Sequence, residues 1–100
     1  MSDSGSDGEV DEPVDEYNRV RGALPLAVLE YVATSIVDEP DGVVIDVEEG
    51  RRGITLSLHV TPDDMGKVIG RRGRVAQAIR TVVRAAAARE GVDASVDIVD

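Results

Sequence analysis

The sequence predicts an α+β domain with the element order helix, strand, strand, helix, helix, strand. Residues 54–60 alternate apolar and polar side chains with period two, as a strand with one buried face requires. Residues 24–38 and 74–90 instead repeat apolar residues at three- and four-residue spacing, which places them on one face of a helix. Gly- and Pro-rich punctuation at Glu39-Pro40-Asp41-Gly42, Gly50-Arg51-Arg52-Gly53 and Gly70-Arg71-Arg72-Gly73 cuts the chain into pieces of element length.

The totals bound the reading. One hundred residues, 42% of them hydrophobic, make one small domain, and the absence of cysteine excludes both a disulfide framework and a thiolate metal site or nucleophile. No apolar run approaches the length that spans a bilayer and no basic-then-apolar leader is visible, so the expected location is the cytoplasm. The net charge of −9 taken alone speaks against nucleic acid. Its distribution reverses that: residues 1–16 hold seven acids and no base, and the other 84 residues carry 13 acids against 11 bases. Seven of those bases lie between Lys67 and Arg89, where there is no acid at all.

Residues 1–20 are too polar and too acidic to offset their ordering entropy, so they read as a disordered tail ahead of a domain at 21–100. Such a tail could fold back on the basic segment and compete with polyanions. Leu24 to Asp38 follows as the first helix, with Leu26, Val28, Leu29, Val32 and Ile36 inward, and Pro40 ends it. Val43 to Glu48 is a strand with Val43, Ile45 and Val47 on one face. Ile54 to Val60 is a second, and the short Glu49–Gly53 turn makes the two a hairpin. His59, the sole histidine, falls on the outward strand face with no second ligand at metal-binding spacing.

Thr61-Pro62-Asp63-Asp64 opens a short helix, through a threonine cap, an early proline and acids at the positive helix end. Met65, Val68 and Ile69 are its apolar side, and Gly70 breaks it. The long helix runs from Arg74 to about Glu90, with Val75, Ile79, Val82, Val83 and Ala86 as its stripe. Val92 to Val99 is the last strand.

The chemistry concentrates at Gly70–Gly73. Two glycines three apart let the backbone turn sharply and approach another molecule, and a helix N-terminus behind them favours an anion. Arg71, Arg72 and Arg74 add charge-assisted donors, so the loop reads as a clamp for a nucleic-acid backbone. The same spelling at Gly50–Gly53 joins two strands and reads as turn chemistry, although Arg51 and Arg52 could touch a phosphate from the opposite side.

A strand, two helices joined by Gly-x-x-Gly, and a strand, here residues 54–99, resemble the K-homology (KH) domain. The extra helix and strand precede that unit, which resembles the type II arrangement and implies a three-stranded sheet with three helices packed on one face. Val37-Asp38-Glu39-Pro40-Asp41, the run from Asp64 to Arg74, and Ala78-Ile79-Arg80-Thr81-Val82-Val83 are similar to the small bacterial single-KH proteins of the KhpA type. The acidic tail departs from that pattern. The resemblance implies a non-enzymatic module that holds about four nucleotides of single-stranded RNA, with no cofactor, metal, membrane or small-molecule substrate. The residues expected to touch RNA are Lys67, Ile69, Gly70, Arg71, Arg72, Gly73, Arg74 and Arg80, with Arg84 a further candidate and Val68 and Ile69 shared between core and groove floor. An RNA chaperone or post-transcriptional regulator is the implied role.

A P-loop enzyme needs Gly-x-x-x-x-Gly-Lys-Ser/Thr after a strand, which is absent, and the two tyrosines do not supply the stacking platform of an RRM or an OB-fold. A protein-interaction module remains: proteins similar to KhpA are implied to pair with themselves or with a larger KhpB/Jag-like KH protein.

Overall fold

Helix α1, Ala23–Ile36, begins the part of the chain that the computed structural model describes, residues 22–100. The tail expected at residues 1–20 lies outside the described residues. Pro25, Leu29 and Ala33 recur at four-residue spacing and are buried, with Leu26, Val28, Val32 and Ile36 half-covered beside them. The helix stops short of the expected Asp38. The backbone N–H groups of Asp38 and Glu39 do not continue the helical ladder; each donates instead to a carboxylate oxygen of Asp64 at 3.0 Å.

Strands β1, Val44–Glu49, and β2, Gly53–His59, pair antiparallel from Val44 opposite His59 to Glu49 opposite Ile54. The hairpin closes through the Gly50 N–H on the Gly53 carbonyl at 2.8 Å. Both strands sit one residue closer to the turn than expected. Gly53 joins the ladder opposite Asp93, at a place where a side chain would collide with the Asp93 backbone.

Strand β3, Asp93–Ile98, lies parallel to β2 on its other side, giving the order β1-β2-β3. Parallel neighbours need a crossover, which α2, Met65–Ile69, and α3, Arg74–Arg89, provide. Alternation then sorts the sheet. Ile54, Leu56, Leu58, Ala94 and Val96 are buried with Leu29, Val68, Ile79 and Val83 from the helices, whereas Asp93, Ser95 and Asp97 are exposed on the far face. The described helices therefore all pack on one face, as the type II KH arrangement implies.

Two helix details differ from the sequence expectation. Thr61 makes no capping bond to the backbone; Pro62–Asp64 is a 3-10 turn and α2 has only five residues. The reason is again Asp64, which takes the Thr61 hydroxyl at 3.1 Å on Oδ2. On α3 the buried stripe is Ala76, Ile79, Val83, Ala86 and Ala87, while Val82 faces outward. Ile79 has both Val82 and Val83 within one helical turn, and Val83 is the one that meets the core.

Candidate nucleic-acid interface

Three unusual backbone conformations in four residues build the loop. Gly70 has φ 75° and ψ 174°, Arg72 has φ 57° and ψ 25°, and Gly73 has φ 72° and ψ 15°. Arg72 is the sole non-glycine residue with positive φ among the described residues. Holding an arginine there costs of order 1–3 kcal/mol, so the surrounding turn must impose it. It does so with bonds on both sides: Gly70 N–H to the Gly66 carbonyl at 2.8 Å and Gly73 N–H to the Gly70 carbonyl at 3.1 Å.

The two glycines serve different ends. A Cβ on Gly70 would run into the side chain and backbone N of Val75, because the chain doubles back as α3 begins. A Cβ on Gly73 would meet nothing within 4 Å. Gly70 is thus demanded by packing and conformation together, Gly73 by conformation alone. Gly73 leaves open space at the mouth of α3 through which another backbone can approach.

Charge is carried by side chains more than by amides. No side chain caps α3, but the N–H groups of Gly73 and Arg74 are already bonded within the turn, to Gly70 and Arg71. Arg71, Arg72 and Arg74 are exposed, and none has an ion-pair partner among the described residues. Lys67 differs. Its Nζ lies 3.1 Å from Asp38 Oδ2 and 4.0 Å from Asp64 Oδ1, and the hydrogen bond to Asp38 raises its pKa above the ordinary lysine value. Its charge is largely matched within the protein, at the side of the loop facing α1.

Val68 and Ile69, treated as a pair in the sequence, part company. Val68 is buried in the core, whereas Ile69 is 40% exposed beside Gly70 and offers an apolar surface at the loop. Arg80 stands about 10 Å along α3 from the loop, at seven residues from Gly73. Its Nε donates to the Val96 carbonyl at 3.1 Å, on a strand whose outer edge has no partner strand among the described residues. Gln77 and Arg84, three residues before and four after, share that side of the helix, so a polar stripe runs from the loop along the seam between α3 and the β3 edge. The spacing of Gln77, Arg80 and Arg84 in the sequence already puts them on one polar helix face, although Gln77 is not among the residues expected to touch RNA.

Asp64, read as a helix-start acid, does stand at the start of α2, and it is also buried against the end of α1. It is 1% exposed and accepts from Asp38 N–H, Glu39 N–H and Thr61 Oγ1, with Lys67 nearby. The Asp38 N–H bond is the foremost cause holding its carboxyl below the ordinary range, with Glu39, Thr61 and Lys67 adding to it against the opposing effect of burial. His59, on the far sheet face, places Nε2 3.1 Å from Asp46 Oδ2. Among the described residues no group of three or more His, Asp or Glu side chains is placed to hold a metal.

The family model described as KhpA/KhpB, KH domain, matches residues 27–98. The chain belongs to the KhpA/KhpB KH-domain family. A protein of Clostridium acetobutylicum named RNA-binding protein KhpA is 50% identical over 72 residues, covering 72% of this chain and 96% of that one. Its namesake in Mycobacterium tuberculosis is 47% identical over 78 residues, covering 78% and 94%. The relatives thus match nearly end to end, while part of this chain has no counterpart in them. In fold alone, a variant of Era from Aquifex aeolicus is similar, with a TM-score of 0.59 at 15% identity over 94% of this chain and 35% of that one. As a member of the KhpA/KhpB family the chain is a type II KH module and not an enzyme.

Proposed function

We propose that this protein binds single-stranded RNA in the cytoplasm by gripping its sugar–phosphate backbone with the Gly70–Gly73 loop, with little choice of sequence. The observation that carries this reading is the set of three exposed arginines, 71, 72 and 74, on a turn that forces one of them into the left-handed region. None of the three has a carboxylate partner among the described residues, in a protein rich in acids. A grip on phosphate positions a strand without reading bases, and the poverty of aromatic rings removes the usual stacking platform. The names of the curated relatives, RNA-binding protein KhpA, support the same ligand. A role as RNA chaperone or post-transcriptional regulator follows from loose, reversible binding.

The double substitution Arg71→Asp, Arg72→Asp tests the reading. Binding to a single-stranded RNA oligonucleotide should weaken at least about tenfold, since two charge-assisted contacts become two repulsions, while the circular dichroism spectrum stays unchanged. Unaltered affinity would remove the loop from the site. A second reading, pairing with another KH module, is favoured by Tyr31, 74% exposed on α1, and Val82, 47% exposed on α3. A second copy or a larger KhpB/Jag-like protein would then multiply weak grips through effective concentration.

A further inference from the structure

The loop arginines are at one end of α3, and a second group of arginines is at the other. Arg52 of the β1–β2 turn and Arg84 of α3 line one cleft of about 510 Å³ with Ala88, Gly91 and Asp93, and Arg51 lies beside it in the neighbouring cleft. Arg89 closes the last turn of α3 at the same end. No carboxylate of the described residues makes an ion pair with these arginines, although Asp93 lines the cleft. Arg84 is the far end of the polar stripe that starts at the Gly70–Gly73 loop; Arg51, Arg52 and Arg89 are not part of that stripe.

The described chain begins at this end. Gly22 packs on the Ile54 side chain, two residues from Arg52, and the Leu24 N–H lies 3.3 Å from Glu90 Oε2, next to Gly91 of the cleft. Upstream lie Asp3, Asp7, Glu9, Asp11, Glu12, Asp15 and Glu16. Glu16 is six residues from Gly22, and six residues of chain reach at most about 20 Å. The Gly70–Gly73 loop is a whole 16-residue helix away, about 24 Å. The acids nearest the domain therefore meet the hairpin arginines before they can meet the loop. The curated relatives, matched over 92–96% of their own length by 72–78% of this chain, leave room for no such segment.

We propose that the acidic N-terminal segment, residues 1–16, docks on the Arg52–Arg84 cleft and acts there as a tethered competitor of nucleic-acid phosphate. Tethering supplies the local concentration that weak, solvent-exposed ion pairs lack, and the contact is sensitive to salt because both partners are exposed. The competitive half of the inference rests on the RNA-binding reading; the docking half does not.

The chain has no cysteine, so Ser6→Cys gives a single attachment point for a nitroxide spin label in the full-length protein. At low salt the label should broaden the amide signals of Arg52, Arg84 and Gly91 more than those of Gly70–Gly73. The broadening should vanish in 0.5 M salt and in the Arg52→Gln, Arg84→Gln variant. Absence of broadening at low salt, or broadening centred on Gly70–Gly73, overturns the docking. RNA-induced shifts at Arg52 and Arg84 without any label effect assign the cleft to RNA and overturn it equally. For the competition, the full chain with its seven tail acids changed to Asn or Gln should bind a single-stranded RNA dodecamer about threefold or more tightly than wild type at 50 mM salt, with the gap closing at 300 mM. Equal affinities overturn the competition. Loss of RNA binding in both proteins, with the label effect intact, overturns the RNA reading and leaves the docking standing.

Discussion

At the scale of the residue, Gly70 and Gly73 are not equivalent although they are spelled as a pair. Gly70 combines φ 75° and ψ 174°, a region only glycine occupies readily, with the Val75 side chain where its Cβ would be. Gly70→Ala should therefore lose stability, by backbone strain of order 1–3 kcal/mol and by more from the collision, read by urea denaturation. Gly73→Ala should lose only the left-handed term, about 1–2 kcal/mol, since its Cβ points into open space, and should weaken RNA binding beyond what the lost stability accounts for. Equal losses from the two variants would contradict the packing role of Gly70. That glycines belonged here was legible in the sequence. Which one packs and which one opens was not, because Val75 reaches Gly70 only after the chain has turned.

At the scale of the element, the shortness of α2 and the early end of α1 have one cause. Asp64 collects the N–H groups of residues 38 and 39, which α1 would have needed to continue, and the Thr61 hydroxyl, which would have capped α2. Through Lys67, bonded to Asp38, the same cluster reaches the helix that carries the loop. Its folded pKa lies below the ordinary 3.8, so the carboxylate contributes stability that is fully present above that value and is lost as pH falls through the folded pKa. Thermal melts should show wild type losing stability below about pH 4 and Asp64→Asn destabilised by several degrees at pH 7, because an amide NH2 would face an N–H donor. The variant should also have a shallower acid limb. A variant that melts like wild type at pH 7 would sink this account. The sequence places an acid at a helix start, which is where acids commonly are; its two backbone partners, the N–H groups of Glu39 and Asp38, are 25 and 26 residues away and carry no local signal.

At the scale of the whole molecule, a net charge of −9 coexists with three exposed loop arginines that have no ion-pair partner among the described residues, because the charges are segregated along the chain. A clamp that neutralises three or four phosphates of a single strand should give a slope of log affinity against log salt of roughly −2 to −3, measured by fluorescence anisotropy. A slope near zero would mean that charge does not hold the RNA. The sequence by itself determined the class of fold, the order of its elements and the position of the loop, since period-two and period-3.6 burial, glycine punctuation and an acid-free stretch are all properties of neighbours along the chain. Only the tertiary structure decided what the loop's neighbours do. It withdrew Lys67 into an ion pair with Asp38, separated buried Val68 from exposed Ile69, turned Val82 outward, and fixed Arg80 on the β3 edge. It also gave the second Gly-Arg-Arg-Gly a place beside Arg84 at the far end of α3. Each of these depends on which segments distant in sequence are packed together, and a local pattern holds no record of that.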